Sequence, residues 1–214
     1  GRHATTLAGI SALLWVLHPL HTEIVNYVSP RTTALMGLFY LLPAYCSLRA
    51  LGTASARWRT AAVLACAAGM ACKESMVTAP VLNVLFERVF VFESFRDAVR
   101  RRAPFYASLA GTWLLLAALM ASGGRTTVGF DAGISAWTYL LNQFAVVVAY
   151  LQRTFWPRDL IVDYGLPRQL TIGEVAVPAV IVAVLAAAIL VALRYRPSAG
   201  FLGTAFFVTL APTS

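Results

Sequence analysis

Eight apolar runs follow one another along the chain, separated by short breaks that hold most of its arginines. A chain of 214 residues that is 59% apolar and 12% charged, with mean hydropathy +0.73, has too few polar groups to cover a water-facing surface. Soluble domains carry about twice that charged fraction. The solvent that suits such a chain is lipid, and the expected class is an all-α, polytopic transmembrane helical bundle. Lys+Arg outnumber Asp+Glu by 17 to 9. A nucleic-acid binder is excluded because these basic residues sit in the breaks, where membrane proteins keep their cytoplasmic charge. Only Lys73 among them is a lysine, and with abundant alanine this points to a GC-rich bacterial gene. Cys46, Cys66 and Cys72 lie inside apolar runs without metal-type spacing, as buried inert thiols do.

The runs are Ala4–Leu20, Ala34–Leu48 with Pro43 inside, Thr60–Cys72, Met76–Phe92, Pro104–Ala121, Ser135–Trp156, Val175–Leu193 and Ala199–Ala211. Arg49–Arg59 reads as a loop, Glu93–Ala103 as a basic segment and Ser122–Gly133 as a Gly-rich loop. Thr60–Cys72 and Met76–Phe92 flank Lys73-Glu74 as a hairpin with the charged pair at one membrane face. In 135–156, Thr138, Asn142, Ala145, Ala149 and Gln152 recur at helical spacing, a small and polar stripe that suits a bundle helix or an interfacial one.

Orientation follows from the arginines. If 135–156 does not cross, eleven basic residues fall on one side: Arg2, Arg49, Arg57, Arg59, Arg88, Arg96, Arg100, Arg101, Arg102, Arg194 and Arg196. Six fall on the other, and the larger set marks the cytoplasm. The expectation is about seven crossings plus one interfacial or re-entrant helix.

The non-cytoplasmic side then gathers His18, His21, Glu23 and Arg31 from the first break, Lys73 and Glu74 from the hairpin tip, and Arg153, Arg158, Asp159, Asp163 and Tyr164 after the sixth run. Singly, each is explained as a residue anchoring a helix end. As a set on one face they point to a substrate site, because charge near membrane depth is costly. His18 and His21 lie one turn apart, yet two imidazoles alone do not fix a metal site, and a hydrogen-bonding role is favoured. Glu23 with Arg31, and Lys73 with Glu74, can also be structural ion pairs, and Asp-Tyr-Gly at 163–165 can be only a turn. Lys73, Arg31 and Arg153 offer positive charge to a lipid phosphate.

Leu17-His18-Pro19-Leu20-His21-Thr22-Glu23-Ile24-Val25, followed by Ser29-Pro30-Arg31, resembles a segment of the transmembrane O-mannosyltransferases that carry tetratricopeptide repeats, and of their bacterial relatives. Cys72-Lys73-Glu74-Ser75 is similar to that family's Lys-Glu hairpin. Tyr150-Leu151-Gln152-Arg153-Thr154-Phe155-Trp156-Pro157, running on to Leu160-Ile161-Val162-Asp163-Tyr164, resembles a third segment, and Ala211-Pro212-Thr213-Ser214 the start of a fourth. The four come in the family's order and span nearly the whole chain. Pro30 departs from the glycine usual before the arginine.

The resemblance implies a GT-C-like fold and an integral-membrane, multi-pass glycosyltransferase. It would move a mannose-like or other hexose from a polyprenyl-phosphate carrier to a hydroxyl of a protein or glycan acceptor, on the non-cytoplasmic face. It also implies that residues 1–214 are part of a single membrane domain. The first helix and the first outer loop, with the catalytic aspartate, would precede Gly1, and a repeat domain would follow Ser214. The catalytic base is therefore unknown in this chain. His18, His21, Glu23, Arg31, Lys73, Glu74, Arg153, Asp163 and Tyr164 are the candidate substrate-binding residues. No metal site or cofactor is expected beyond the lipid-linked sugar donor, and the partners are membrane lipid, that donor and the acceptor, with no nucleic acid. Composition places the protein in a bacterial inner membrane rather than the endoplasmic reticulum. A transporter and a non-catalytic scaffold presenting a repeat domain are the alternatives; no inverted repeat favours the transporter.

Overall fold

In a computed structural model the described residues, 2–21, 31–122, 136–157 and 170–211, form eight α-helices and no strand. These are α1 (Arg2–Leu17), α2 (Arg31–Thr53), α3 (Ala56–Cys72), α4 (Ala79–Phe90), α5 (Phe95–Ala121), α6 (Ala136–Phe155), α7 (Ile172–Tyr195) and α8 (Pro197–Leu210). Among the described residues, α2, α5 and α7 are long and apolar enough to cross a membrane, and α1 and α8 are shorter apolar helices.

Two arginine-bearing stretches, one expected as a loop and one as a basic segment, are largely helical. The Arg49–Arg59 loop shrinks to Ala54-Ser55, with Ala54 in the left-handed region at φ 50° to turn the chain back. Arginine is a good helix former, and here Arg49 stacks over the Trp58 ring, 5.3 Å from its centroid, across the turn. Most of the basic segment 93–103 likewise belongs to α5. Ser94 caps it by accepting from the Asp97 N–H at 3.1 Å, and Asp97 sits in the first turn, at the positive end of the helix dipole. Pro104 lies inside α5 instead of starting it, and the backbone leaves helical geometry at Arg102 (φ −128°, ψ 17°). Proline supplies no N–H and crowds the preceding turn, so a kink there has a plain cause.

The contacts set the direction of each helix. Thr33, Tyr40 and Ser47 along α2 meet Lys73, Thr78 and Glu87 in turn, so α2 and α4 both run away from the hairpin tip at 73–78. On α5, Arg102 is beside Ser47, Thr112 beside Cys66, and Trp113 beside Val77, so α5 returns toward the tip. Phe201, in the first turns of α8, packs its ring against Phe86 and Phe90 of α4. The α8 helix then rises to touch the turn at 74–78. The α7–α8 corner is tight: a Cβ on Gly200 would stand 2.6 Å from Leu193 Cα, and one on Gly203 would meet Ile189. Small residues let backbones approach this closely. The α7 helix therefore starts at the tip end, where α5 finishes.

The core lies among α2, α3, α4 and α5 and holds Cys46, Ala62, Cys66, Met70, Met76, Phe105 and Leu109. Outside it α8 leans on α4, α7 on α8, and α6 on α7. The apolar surface left over is large: residues 3–17 of α1 are all exposed, and only 6% of the apolar window of α7 is buried, at mean hydropathy 2.9. Exposed apolar surface of this extent is covered by lipid.

Candidate functional site at the hairpin tip

The hairpin tip begins where α3 ends. Lys73 leaves helical geometry (φ −156°, ψ 140°) while its N–H still reaches Gly69 O at 3.1 Å, and residues 74–78 form one 3-10 turn. The turn is held from three sides. Met76 is fully buried beneath it, Tyr40 of α2 hydrogen-bonds the Thr78 hydroxyl, and Trp113 of α5 donates its indole N–H to Val77 O at 2.8 Å. Gly69 makes room for it, since a Cβ there would meet Met76 and stand 2.9 Å from Phe39 Cβ. This fixes the start of the Lys73 side chain, which is half-buried. Its Nζ donates to Thr33 Oγ1 at 3.1 Å; among the described residues this uses one of its three N–H donors. Thr33 is two residues into α2 from Arg31, so the tip meets the end of the first polar break. Glu74 is exposed, and next to it the Ser75 hydroxyl is buried without a hydrogen-bond partner among the described residues.

A second junction ties the other end of that break to α6. His18 follows α1, and its Nε2 lies 2.9 Å from Thr154 O, while Nδ1 accepts the Leu20 N–H at 3.3 Å. The pair of bonds selects the tautomer with hydrogen on Nε2. Thr154 is the neighbour of Arg153, which is half-buried in the last turn of α6. The structure thus joins His18 to the Arg153 segment, and Lys73 to the start of α2 beside Arg31. Glu23, Asp163 and Tyr164 lie outside the described residues, and of His21 and Arg31 only the backbone is described. Of the polar stripe on α6, Thr138, Asn142, Ala145 and Ala149 are half-buried and Gln152 is exposed; Asn142 donates to Thr138 O at 2.7 Å. No group of three His, Cys, Asp or Glu suited to a metal ion occurs among the described residues.

The sequence reading missed a polar network at the opposite end. Glu87 has no exposed surface. Its Oε1 accepts from Ser47 Oγ and from Asn83 Nδ2 at 3.4 Å, and its Oε2 accepts from Tyr106 OH at 2.6 Å. Arg102, 7% exposed, faces it with Nε 3.2 Å from Oε2, an ionic contact rather than a directed hydrogen bond. Its Nη2 donates to Ser47 Oγ at 2.9 Å, and its guanidinium stacks over Phe105, 4.3 Å from the ring centroid. Arg102 is therefore not a loop charge. The signal for this network was present: Glu87 is an acid inside the apolar run Met76–Phe92, and a buried carboxylate needs a partner.

A curated relative matches part of the chain. Protein O-mannosyl-transferase tmtc2 of Xenopus laevis is 34% identical over 92 residues, which cover 41% of this chain and 11% of the relative. The likeness is to a glycosyltransferase. The matched stretch spans only about a tenth of that protein's length. No family model and no solved structure matches the chain.

Proposed function

We propose that this chain is the central part of the membrane domain of a GT-C-type glycosyltransferase, which moves a hexose from a polyprenyl-phosphate carrier to a hydroxyl acceptor outside the cytoplasm. The observation that carries the reading is the 34% identity to an O-mannosyl-transferase. The four segments that resemble that family, in its order, support it.

In this reading α1, α2, α3, α4, α5, α7 and α8 cross the membrane, and α6 does not. The end opposite the hairpin tip faces the cytoplasm, because it carries Arg49, Arg57, Arg59, Arg88, Arg96, Arg100, Arg101, Arg102, Arg194 and Arg196. The tip, with Lys73, Glu74 and the start of α2, faces the other side. Transfer requires a carboxylate to take the acceptor's proton, which we place upstream of Gly1. It also requires cations to stabilise the leaving lipid phosphate. We assign this task to Lys73, Arg31 and Arg153. His18, His21, Glu23, Glu74, Asp163 and Tyr164 shape the pocket. Placement in a bacterial inner membrane rests on composition alone.

The test is sugar transfer from mannosyl-phosphoryl-polyprenol by the full-length protein and by Lys73→Gln, Arg31→Gln and Arg153→Gln. Each loss of a charge that stabilises the departing phosphate is expected to lower transfer by about a hundredfold, the scale for one transition-state donor. Undiminished transfer in all three removes them from the site. A full-length protein that transfers nothing contradicts the reading and leaves the transporter and the scaffold.

A further inference from the structure

At the end of the bundle away from the tip, an open cleft of about 720 Å³ lies among the end of α2, the start of α3 and the first half of α5. Its walls combine three arginines with apolar side chains: Arg59 from α3, Arg101 and Arg102 from α5, and Leu51, Val63 and Phe105. Arg102 is committed to Glu87 and forms part of the lining. Arg59 is exposed and has no acidic partner among the described residues. The side chain of Arg101 is 68% exposed, and its pair with Asp97, Nε to Oδ1 at 2.7 Å, is a surface pair that solvent weakens.

The register of the cleft decides its ligand. Arg59 immediately precedes the apolar run Thr60–Cys72 of α3, and Arg101 and Arg102 precede the run Pro104–Ala121 of α5. Each wall changes from cationic to apolar toward the hairpin tip, as a membrane does between headgroup and chain. Leu64, next in sequence to the lining residue Val63, is 64% exposed. A soluble phosphate would use the arginines and leave the apolar wall in contact with water. A lipid covers both.

We propose that this cleft binds the phosphate headgroup of an anionic phospholipid, with Arg59 and Arg101 holding the phosphate and Val63 and Phe105 taking the first methylenes of a chain. Arginine's planar fork suits the phosphate oxygens. Basic pockets between helices on the cytoplasmic side bind such headgroups in general. The assignment needs the bundle to lie in a membrane and is independent of the transfer reaction proposed for the other end.

Native mass spectrometry of the full-length protein in detergent, with phosphatidylglycerol or phosphatidylcholine added, tests it. The wild type is expected to retain phosphatidylglycerol preferentially. Arg59→Gln with Arg101→Gln is expected to lower that preference about thirtyfold, the factor two interfacial arginines carry. Arg196→Gln, which removes the same charge from the α7–α8 corner, is expected to keep it. Equal retention by the double variant and the wild type, at matched thermal stability, overturns the proposal. So does displacement of phosphatidylglycerol by an equal concentration of inorganic phosphate, which would make the cleft a soluble-anion site. Should the double variant unfold, Arg59→Gln alone carries the comparison, because that position is exposed.

Discussion

Glu87 shows how one side chain can lock three helices. Its carboxylate collects Ser47 from α2, Asn83 from its own helix, and Tyr106 and Arg102 from α5, all inside the bundle. A buried ion pair is not in itself a source of great stability, because desolvation offsets much of the attraction. Removing one member is another matter, since it strands the other charge. Glu87→Gln is expected to cost about 3–5 kcal/mol in thermal or denaturant unfolding in detergent. Glu87→Leu together with Arg102→Met should cost clearly less than the two single changes added, a non-additivity that marks direct coupling. Additive losses would show that the two side chains act separately. The sequence reading passed over this network although half its signal was there: Glu87 is an acid in an apolar run, while Arg102 is one of four arginines between 96 and 102. That one arginine faces inward, at the residue where the backbone leaves helical geometry before Pro104. At the tip the reverse holds, for Lys73-Glu74 was visible as the charged point of a hairpin while its partner Thr33 carried no signal.

At the scale of elements, apolar runs located the helices and misplaced some of their ends. The hydrocarbon core ends where charge begins, but a helix does not. Arginine propagates α2 to Thr53 and starts α5 at Phe95, well outside the apolar runs. The hairpin tip was legible because Lys73-Glu74 interrupts two runs that are each short. Its rigidity was not, since it depends on Tyr40, Trp113 and the space left by Gly69. Gly69→Ala is accordingly expected to lower stability by about 1–3 kcal/mol, the usual cost of overpacking. It should also lower sugar transfer, because Lys73 is displaced with the turn. A melting temperature equal to wild type would mean that Met76 and Phe39 give way freely.

At the scale of the whole molecule, the all-helical bundle and its need for lipid followed from composition. Membrane passage is less directly read, for among the described residues three helices meet the length and apolarity of a span, and α3 and α4 are not among them. The position of α6 illustrates why. Its sequence suits either a spanning or an interfacial helix, and the proposal that it does not cross draws on α5 ending and α7 starting at the same end of the bundle. The functional reading rests on that layout, since it requires the tip at 73–78 and the junction of His18 with Thr154 to share a face. Single-cysteine labelling measures this directly, with Cys46, Cys66 and Cys72 replaced and a membrane-impermeant maleimide applied to intact cells expressing the full-length protein. Cysteines at Glu74 and at Trp156 are expected to label from outside, and those at Ser55 and Glu93 only after permeabilisation. Labelling of positions 74 and 156 from opposite faces would contradict the account.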